Sequence, residues 1–456
     1  MRKRDRYKHL LNFFANLMTV LVEVVLFGCM WYQCYSETII EPFYRRGNWA
    51  VIALYALIIF FFTYVFGGYK IGYMRIMDIA LCHVLAILCS GVIAYFQICM
   101  LARDYVSVWP IGVVCLAELV VILPWVYIIR KVYSALYPPK QVMLIYGDYS
   151  PEDLRDKLNT RSDKYSVGVS VSCHEDFEKV TAMMEQYEAV VLCDLPAEIR
   201  NDLMKYCYEK SIRTYVTPKI SDLLLRSASD IHLFDTPLLL ARNQGISIVQ
   251  GFFKRAFDII VSLIGLVIAS PFMLIIALAI KLYDGGPVFY KQMRLTKDGQ
   301  EFAIIKFRSM SVDSEEKGAR LAAQGDSRVT PVGNIIRNIH FDELPQLINI
   351  LKGEMSIVGP RPERRVIADQ YMEEIPEFDM RLKVKAGLTG YAQVFGKYNT
   401  TPYDKLKLDL TYINNYSFWL DIKIMLLTFK ILFQKENTEG VAADQVTAIK
   451  QKHEEK

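Results

Sequence analysis

Two acids, Asp342 and Glu343, stand side by side in the stretch NIIRNIHFDELPQLINILKGEMSIVGPRPERR, residues 334–365. An acidic pair within helical periodicity is usually a solvated face. What raises this pair is its company. Arg337 lies five residues before Asp342, Pro345 follows closely, and Arg361 sits between two prolines that fix its backbone. Upstream, in DGGPVFYKQMRLTKDGQEFAIIKFRSM (284–310), Lys306 and Arg308 alternate with apolar residues. On a strand that alternation puts both cations on one face, where they can hold phosphate oxygens. Alone, such a pair is more often a solvated strand face. His340, two residues before Asp342, invites a general-base reading, weighed against a plain helix-surface position.

Several elements must position these groups. Gly285-Gly286-Pro287 and Lys297-Asp298-Gly299 are turn signals that bracket strand-like runs, so a β-hairpin resting at a membrane surface is expected. Before it comes AFDIIVSLIGLVIASPFMLIIALAI (256–280), long enough to cross a bilayer but interrupted by Ser270-Pro271. Lys254 and Arg255 precede this stretch while Lys281, Lys291 and Arg294 follow it, so both flanks carry the cytoplasmic signature. The expectation is a re-entrant helix, break and helix over 255–281 that dips into one leaflet. Pro271 would remove a backbone hydrogen bond and Ser270 would re-satisfy the freed group. The alternative is a proline-kinked fifth span. Further on, LDLTYINNYSFWLDIKIMLLTFKILFQ (408–434) is interrupted by Asp409, Asn414, Asn415, Asp421 and Lys423. It reads as a segment lying along the interface with Tyr412, Tyr416 and Trp419 at headgroup level. The polar residues 436–456 read as a mobile tail.

The first half of the chain is a different material. Over the 456 residues, 53% are hydrophobic, and the mean hydropathy is positive, which favours a membrane protein. Apolar stretches near 10–32, 49–66, 76–98 and 108–129 give four transmembrane helices within 1–135. The start, MRKRDRYKHLLNFF, lacks a small-residue cleavage site and its apolar run is long enough to remain as an anchor. Lys and Arg collect at the N-terminus and after the second and fourth stretches, which places both the N-terminus and everything after residue 130 in the cytoplasm. Glu23 falls inside the first span and is a functional candidate, weighed against a protonated or snorkelling group at a helix contact. Pro124 reads as a kink or helix-end signal.

Residues 136–222 alternate short apolar runs with helix-like patterns, the rhythm of a βαβ parallel-sheet, Rossmann-like domain. Its first strand ends in YGDYS, without the GxGxxG that brings backbone amides to a pyrophosphate, so a regulatory or assembly module is the better reading. Residues 223–253 read as a linker. A net charge of +4 and the lack of a basic, aromatic-interleaved stripe argue against nucleic acid. Nine cysteines occur without a CxxC spacing and none follows Cys207, so the chemistry downstream needs neither thiol nor disulfide.

From about 250 to 435 the residues resemble the bacterial sugar transferase family, the monotopic phosphoglycosyl transferases. The matching pieces are KRAFDII, the Ser-Pro break, GGPVFYKQ, KFRSM, R-x4-DELPQLINILKGEMSIVGPRP, GLTGYAQV and D-x2-Y-x7-W-x-D-x-KI. With the preceding spans and βαβ domain, the whole chain is similar to the larger members that prime capsule, O-antigen or exopolysaccharide synthesis. The resemblance implies a mixed α/β catalytic domain over 254–435 in the cytoplasmic membrane. It implies attack by an aspartate on the β-phosphorus of a UDP-sugar, release of UMP, and transfer of the sugar phosphate to undecaprenyl phosphate. By that resemblance Asp342 is the nucleophile, Glu343 helps hold Mg²⁺, and Lys306, Arg337 and Arg361 are fixed cations. Asp409 matches a further acidic position of the family's site, and a homodimer is implied by analogy with larger members. Where the family commonly has glycine-arginine, this chain has Gly396-Lys397, and lysine lacks the planar fork of arginine. A glycosyltransferase releasing UDP and a non-catalytic scaffold of a polysaccharide assembly complex are the rival readings.

Overall fold

The computed structural model describes residues 7–40, 42–44, 46–241, 245–311, 328–396 and 400–432. Lys397 and the 436–456 tail lie outside them. The chain divides into two compact units, Met1–Pro218 and Lys219–Lys456.

In the first unit, α1 (Lys8–Met30), α2 (Arg46–Phe66), α3 (Ile76–Ala102) and α4 (Trp109–Leu136) are each long and apolar enough to cross a membrane. Pro124 lies inside α4 without ending it. A parallel sheet follows, built from β1 (Lys140–Tyr146), α5 (Glu152–Asn159), β2 (Tyr165–Ser172), α6 (Phe177–Met184), β3 (Ala189–Cys193), α7 (Ala197–Glu209) and β4 (Arg213–Val216). The strand order is β2-β1-β3-β4, all parallel. Val142, Met143, Leu144 and Ile145 of β1 are all fully buried, because helices cover both faces of such a sheet and a central strand reads as one apolar run.

The second unit starts earlier than the sequence suggested. Within the stretch read as a linker, α8 (Ile220–Arg226) is followed by an exposed hairpin of β5 (Ser229–Leu233) and β6 (Thr236–Leu240). Ile220 and Leu223 of α8 are buried, and Ile220 joins the main core of this unit. Then α9 (Ile248–Asp284) runs unbroken for 37 residues, about 55 Å at the α-helical rise. It opens with a capping box in which Ser247 accepts from the Gln250 amide and Gln250 reaches back to Ser247. Where the sequence suggested two helical halves, the helix continues through Ser270-Pro271. Pro271 leaves the Val267 carbonyl without its usual donor, and the Ser270 hydroxyl donates to that carbonyl at 2.8 Å.

One face of α9 is covered by its own unit along almost the whole length. Asp258 accepts from the Ile357 amide at 3.0 Å, Gly265 lies against Leu347, Phe272 meets Phe341, and Ile276 and Ile280 pack with Phe307 and Ile336. The opposite face leaves Ile260, Leu263, Ile264, Val267, Ile268, Leu274 and Ile275 exposed. Two basic residues that flank the apolar stretch are therefore inside the domain. Lys254 is buried and donates to Asp421 at 2.6 Å, and Arg255 donates to the carbonyls of Ile350 and Leu351.

The rest of the unit comprises β7 (Phe289–Leu295), β8 (Glu301–Phe307), α10 (Pro331–Asn338), α11 (Gln346–Lys352), β9 (Ser356–Val358), α12 (Arg365–Glu374), β10 (Gly387–Thr389), α13 (Tyr391–Phe395), α14 (Pro402–Asn414) and α15 (Phe418–Leu432). β7 and β8 form the expected antiparallel hairpin, turned at Asp298 and Gly299, both in the left-handed region. One side of the 408–434 stretch, expected to lie along an interface, packs into its own unit, while Phe418, Trp419 and Phe429 stay exposed. Leu406, Leu410, Ile413, Ile424 and Leu427 of α14 and α15 are buried, and Tyr412, placed by the sequence at headgroup level, is 1% exposed and donates to Asp421 at 2.7 Å. The acids that broke the apolar pattern are core partners of Lys254 and Arg381. A hydropathy pattern cannot distinguish that from a wet face.

Candidate active site

The acidic pair is not on a helix. Thr330 caps α10 by accepting from the Gly333 amide at 2.9 Å, and α10 ends at Asn338. His340 then takes a left-handed backbone (φ 57°) and Phe341–Glu343 form a single 3₁₀ turn before Pro345 and α11. The left-handed His340 breaks the helical path before the pair, and Pro345, which has no N–H for the Phe341 carbonyl, adds to the break. The turn is held from below by Phe341 and Leu344, which pack on the cluster of Ile276, Ile280, Phe307 and Ile336. His340 is likewise off any helix surface, and its Nδ1 is buried without a hydrogen-bond partner among the described residues.

Glu343 is the meeting point of the cations. Lys306 Nζ donates to its Oε1 at 2.6 Å and Arg361 donates to the same oxygen at 3.0 Å. Burial alone would raise this carboxyl, but Lys306 and Arg361 outweigh it and hold it well below the ordinary carboxylate range. Asp342, half-buried, has no hydrogen-bond or ion-pair partner among the described residues. Burial pushes its carboxyl up, against the pull of Lys306 and, more weakly, of Arg337. Adjacent acids thus have separate environments: one is clamped, the other is left with free oxygens.

Two devices bring Lys306 and Arg361 here. Asn349 of α11, fully buried, accepts from the Ile305 amide at 3.0 Å and donates to the Ala303 carbonyl at 2.8 Å, so its side chain closes the free edge of β8 beside Lys306. The Arg361 loop is fixed through its carbonyls. Gly387 N–H donates to Pro360, Arg381 to Arg361, Arg294 to Pro362 and Leu295 N–H to Glu363, at 2.9–3.2 Å. Gly359 and Gly387 pass so closely that a Cβ on Gly387 would stand 2.1 Å from the Gly359 nitrogen. Under the loop, Arg381 pairs with Asp409 at 2.7 Å, and Glu363 takes Lys405 and approaches Arg381 at 3.7 Å. These cations overcome the effect of burial on Glu363 and hold its carboxyl down to about 2.

Among the residues singled out from sequence, Asp342, Glu343, Lys306 and Arg361 come together, with Arg337 in electrostatic reach. Asp409 does not line the acidic turn; it is 1% exposed and acts on Arg361 through Arg381. Arg308 is a correction. It is buried and forms a bidentate pair with Asp284 over Gly286, because it follows the last residue of β8 and turns toward the end of α9. Asn349, Arg381, Glu363 and Arg294 were missed. The available signal was a polar residue within an apolar helical run for Asn349; the others are long-range pairs that no spacing reveals.

The segment holding this site, residues 249–435, matches the family model described as bacterial sugar transferase. A relative from Aeromonas hydrophila, named UDP-N-acetylgalactosamine-undecaprenyl-phosphate N-acetylgalactosaminephosphotransferase, is 36% identical over 67% of this chain and 69% of its own length. The chain belongs to the bacterial sugar transferase family. UDP-glucose:undecaprenyl-phosphate glucose-1-phosphate transferase of Escherichia coli (strain K12) is 44% identical over 43% of this chain and 42% of its own. Undecaprenyl-phosphate galactose phosphotransferase of Salmonella typhimurium is 35% identical over 48% and 49%. The chain thus spans less than half the length of these last two relatives. As a family member, with five helices apolar enough to cross a bilayer, it is a membrane-associated sugar transferase.

Proposed function

We propose that the enzyme transfers hexose-1-phosphate from a UDP-sugar to undecaprenyl phosphate on the cytoplasmic face of the bacterial membrane, as the first step of capsule, O-antigen or exopolysaccharide synthesis. The observation that carries this reading is the unpaired Asp342 carboxylate beside Glu343, with Lys306 and Arg361 converging on Glu343. Asp342 Oδ attacks the β-phosphorus of the donor, the bond to the UMP oxygen breaks, and UMP leaves with that electron pair. A phosphate oxygen of the acceptor then attacks the same phosphorus and frees Asp342. Lys306, Arg361 and Arg337 stabilise the charge on the transferred phosphoryl group, and prepositioned cations need no reorganisation as the charge develops.

Magnesium fits the donor set. The free oxygens of Asp342 and the second oxygen of Glu343 offer the one or two carboxylates that Mg²⁺ takes alongside substrate phosphates. When bound, it would supply neutralisation of phosphate charge. Incubation of the purified protein with a UDP-sugar labelled in the β-phosphate, without lipid acceptor, is expected to label the peptide containing Asp342. Release of UDP in place of UMP on adding undecaprenyl phosphate would show a glycosyltransferase, and no turnover at all a scaffold.

A re-entrant course for α9 is part of this proposal. Its support is the contact of one helix face with the catalytic unit from Lys254 to Asp284. A perpendicular crossing would drag that polar unit into hydrocarbon, whereas a shallow helix immerses only the exposed apolar face. The parallel-sheet region is proposed as a Rossmann-like regulatory or assembly module. Its strand order reverses at β1, where Gly147 packs so closely that a Cβ there would stand 2.5 Å from the Asp194 carbonyl, and its first turn lacks the GxGxxG pattern. A homodimer is supported by the β5–β6 hairpin, where Leu233, Phe234 and Leu239 are exposed on a ribbon too small to be stable by itself. Mass measurement of the protein in lipid nanodiscs tests it.

A further inference from the structure

Glu23 stands near the middle of α1 and takes no part in the transfer chemistry. It is 0% exposed, and neither carboxylate oxygen has a hydrogen-bond partner among the described residues. His83 of α3, 2% exposed, faces it with Nδ1 3.8 Å from Glu23 Oε1, and that nitrogen also has no hydrogen-bond partner there. Gly68 lies against both Thr63 and the His83 ring, and Tyr69 stands beside Thr63 within electrostatic reach of Glu23. Thr63 Oγ1, Tyr69 OH and, two turns along α3, Ser90 Oγ are further buried polar atoms without a hydrogen-bond partner by geometry among the described residues. The next residue of the α2–α3 loop, Lys70, is exposed. Unpartnered polar atoms therefore run from that loop to the centre of the four helices.

A second acid shows how the bundle treats a carboxyl that has a donor. Glu118 of α4, also 0% exposed, accepts from the Tyr55 hydroxyl at 2.7 Å, and the Tyr55 ring stacks at 3.9 Å on Phe27, one turn from Glu23. Glu23 has no such donor. The titratable groups facing it from the packed elements are Tyr55 and Tyr69, His83 and Glu118, while Cys82 donates to the Phe66 carbonyl and Cys115 to that of Ile87. Among the described residues His83 is the basic side chain in contact with it. A bare carboxylate beside a neutral imidazole would be an uncompensated charge in an apolar interior, which is far costlier than any rearrangement of one proton. A neutral acid beside imidazole and a carboxylate beside imidazolium both remove that charge, and each carries one proton more.

We propose that Glu23 and His83 form a buried proton-binding site in the helix bundle, loaded and emptied through the Tyr69 end of the α2–α3 loop. Binding adds one proton to the pair; no bond between heavy atoms forms or breaks. The proton is the ligand, and the site titrates independently of the sugar-phosphate chemistry.

The test is infrared difference spectroscopy of the full-length protein in lipid nanodiscs across a pH series. The wild type is expected to show a protonated-carboxyl stretch that Glu23→Gln abolishes and Glu118→Gln leaves in place. Glu23→Asp, which keeps a carboxyl, should shift the band without removing it, and serves if the glutamine variant fails to fold. His83→Gln removes the group that compensates the carboxylate, so the band should persist to higher pH, with its midpoint at about tenfold lower proton concentration. A titrating band that survives Glu23→Gln, or one that Glu23→Asp leaves unmoved, overturns the assignment to Glu23. An unmoved midpoint in His83→Gln overturns the sharing of the proton.

Discussion

The Arg361 loop and the Asp342 turn meet at Glu343, yet they are held in opposite ways. In the loop, the carbonyls of Pro360, Arg361, Pro362 and Glu363 are each taken by a donor, and a buried layer of Arg381, Asp409, Glu363 and Lys405 lies beneath. In the turn, His340 adopts a backbone that non-glycine residues rarely use, and Asp342 has no partner among the described residues. The difference teaches how the site divides its labour. The Arg361 loop is locked by backbone hydrogen bonds and ion pairs, whereas Asp342, the proposed nucleophile, is kept unencumbered.

The contrast can be broken first at the turn. Asp342→Asn is expected to lower kcat by roughly a thousandfold or more, since no other group can take the phosphoryl, while leaving the melting temperature nearly unchanged because no partner is lost. A large fall in stability together with activity would mean that Asp342 is structural after all. Next is Arg381→Met, which leaves Asp409 as an uncompensated buried charge. Thermal and denaturant unfolding should show a loss on the order of 3–5 kcal/mol, with Arg361 released from its anchor. Asn349→Leu should cost about 1–3 kcal/mol for each of the β8 groups it orphans and raise KM for the donor as Lys306 loses its register.

Smaller effects sharpen the comparison. The Glu363 carboxyl is held down to about 2 against an ordinary value of about 4.3. Because its folded value is the lower one, it stabilises the protein above about pH 4 and that contribution is lost as pH falls toward about 2. The Glu363→Gln variant should therefore show a flatter acid limb in unfolding free energy, by on the order of 3 kcal/mol over that window. Least affected in chemistry should be Arg308→Lys. Paired with Asp284 and away from Glu343, it should change the donor KM by less than about twofold, whereas a phosphate-binding arginine would lose more.

What the sequence disclosed follows from what is periodic or local. The four apolar helices, the βαβ rhythm and the β7–β8 hairpin could be read because burial repeats at fixed intervals or a turn has its own residues. Asp342, Glu343, Lys306 and Arg361 emerged from their neighbours and from the family motif. The placing of Asp409, Arg308 and Tyr412 did not, since each depends on a partner far along the chain: Arg381, Asp284 and Asp421 respectively. The helical reading of the acidic pair failed because apolar spacing continues past His340, where the backbone turns left-handed and ends the helix.

The long helix α9 is stitched to its unit at both ends and between, by Lys254, Asp258, Phe272, Ile280 and Asp284. Helix and acidic turn are therefore packed into one unit, like a keel built into its hull. The distance of Asp342 from the apolar face of α9 is set by covalent and packed geometry within this unit, so a push or tilt on the helix is passed directly to the acidic turn.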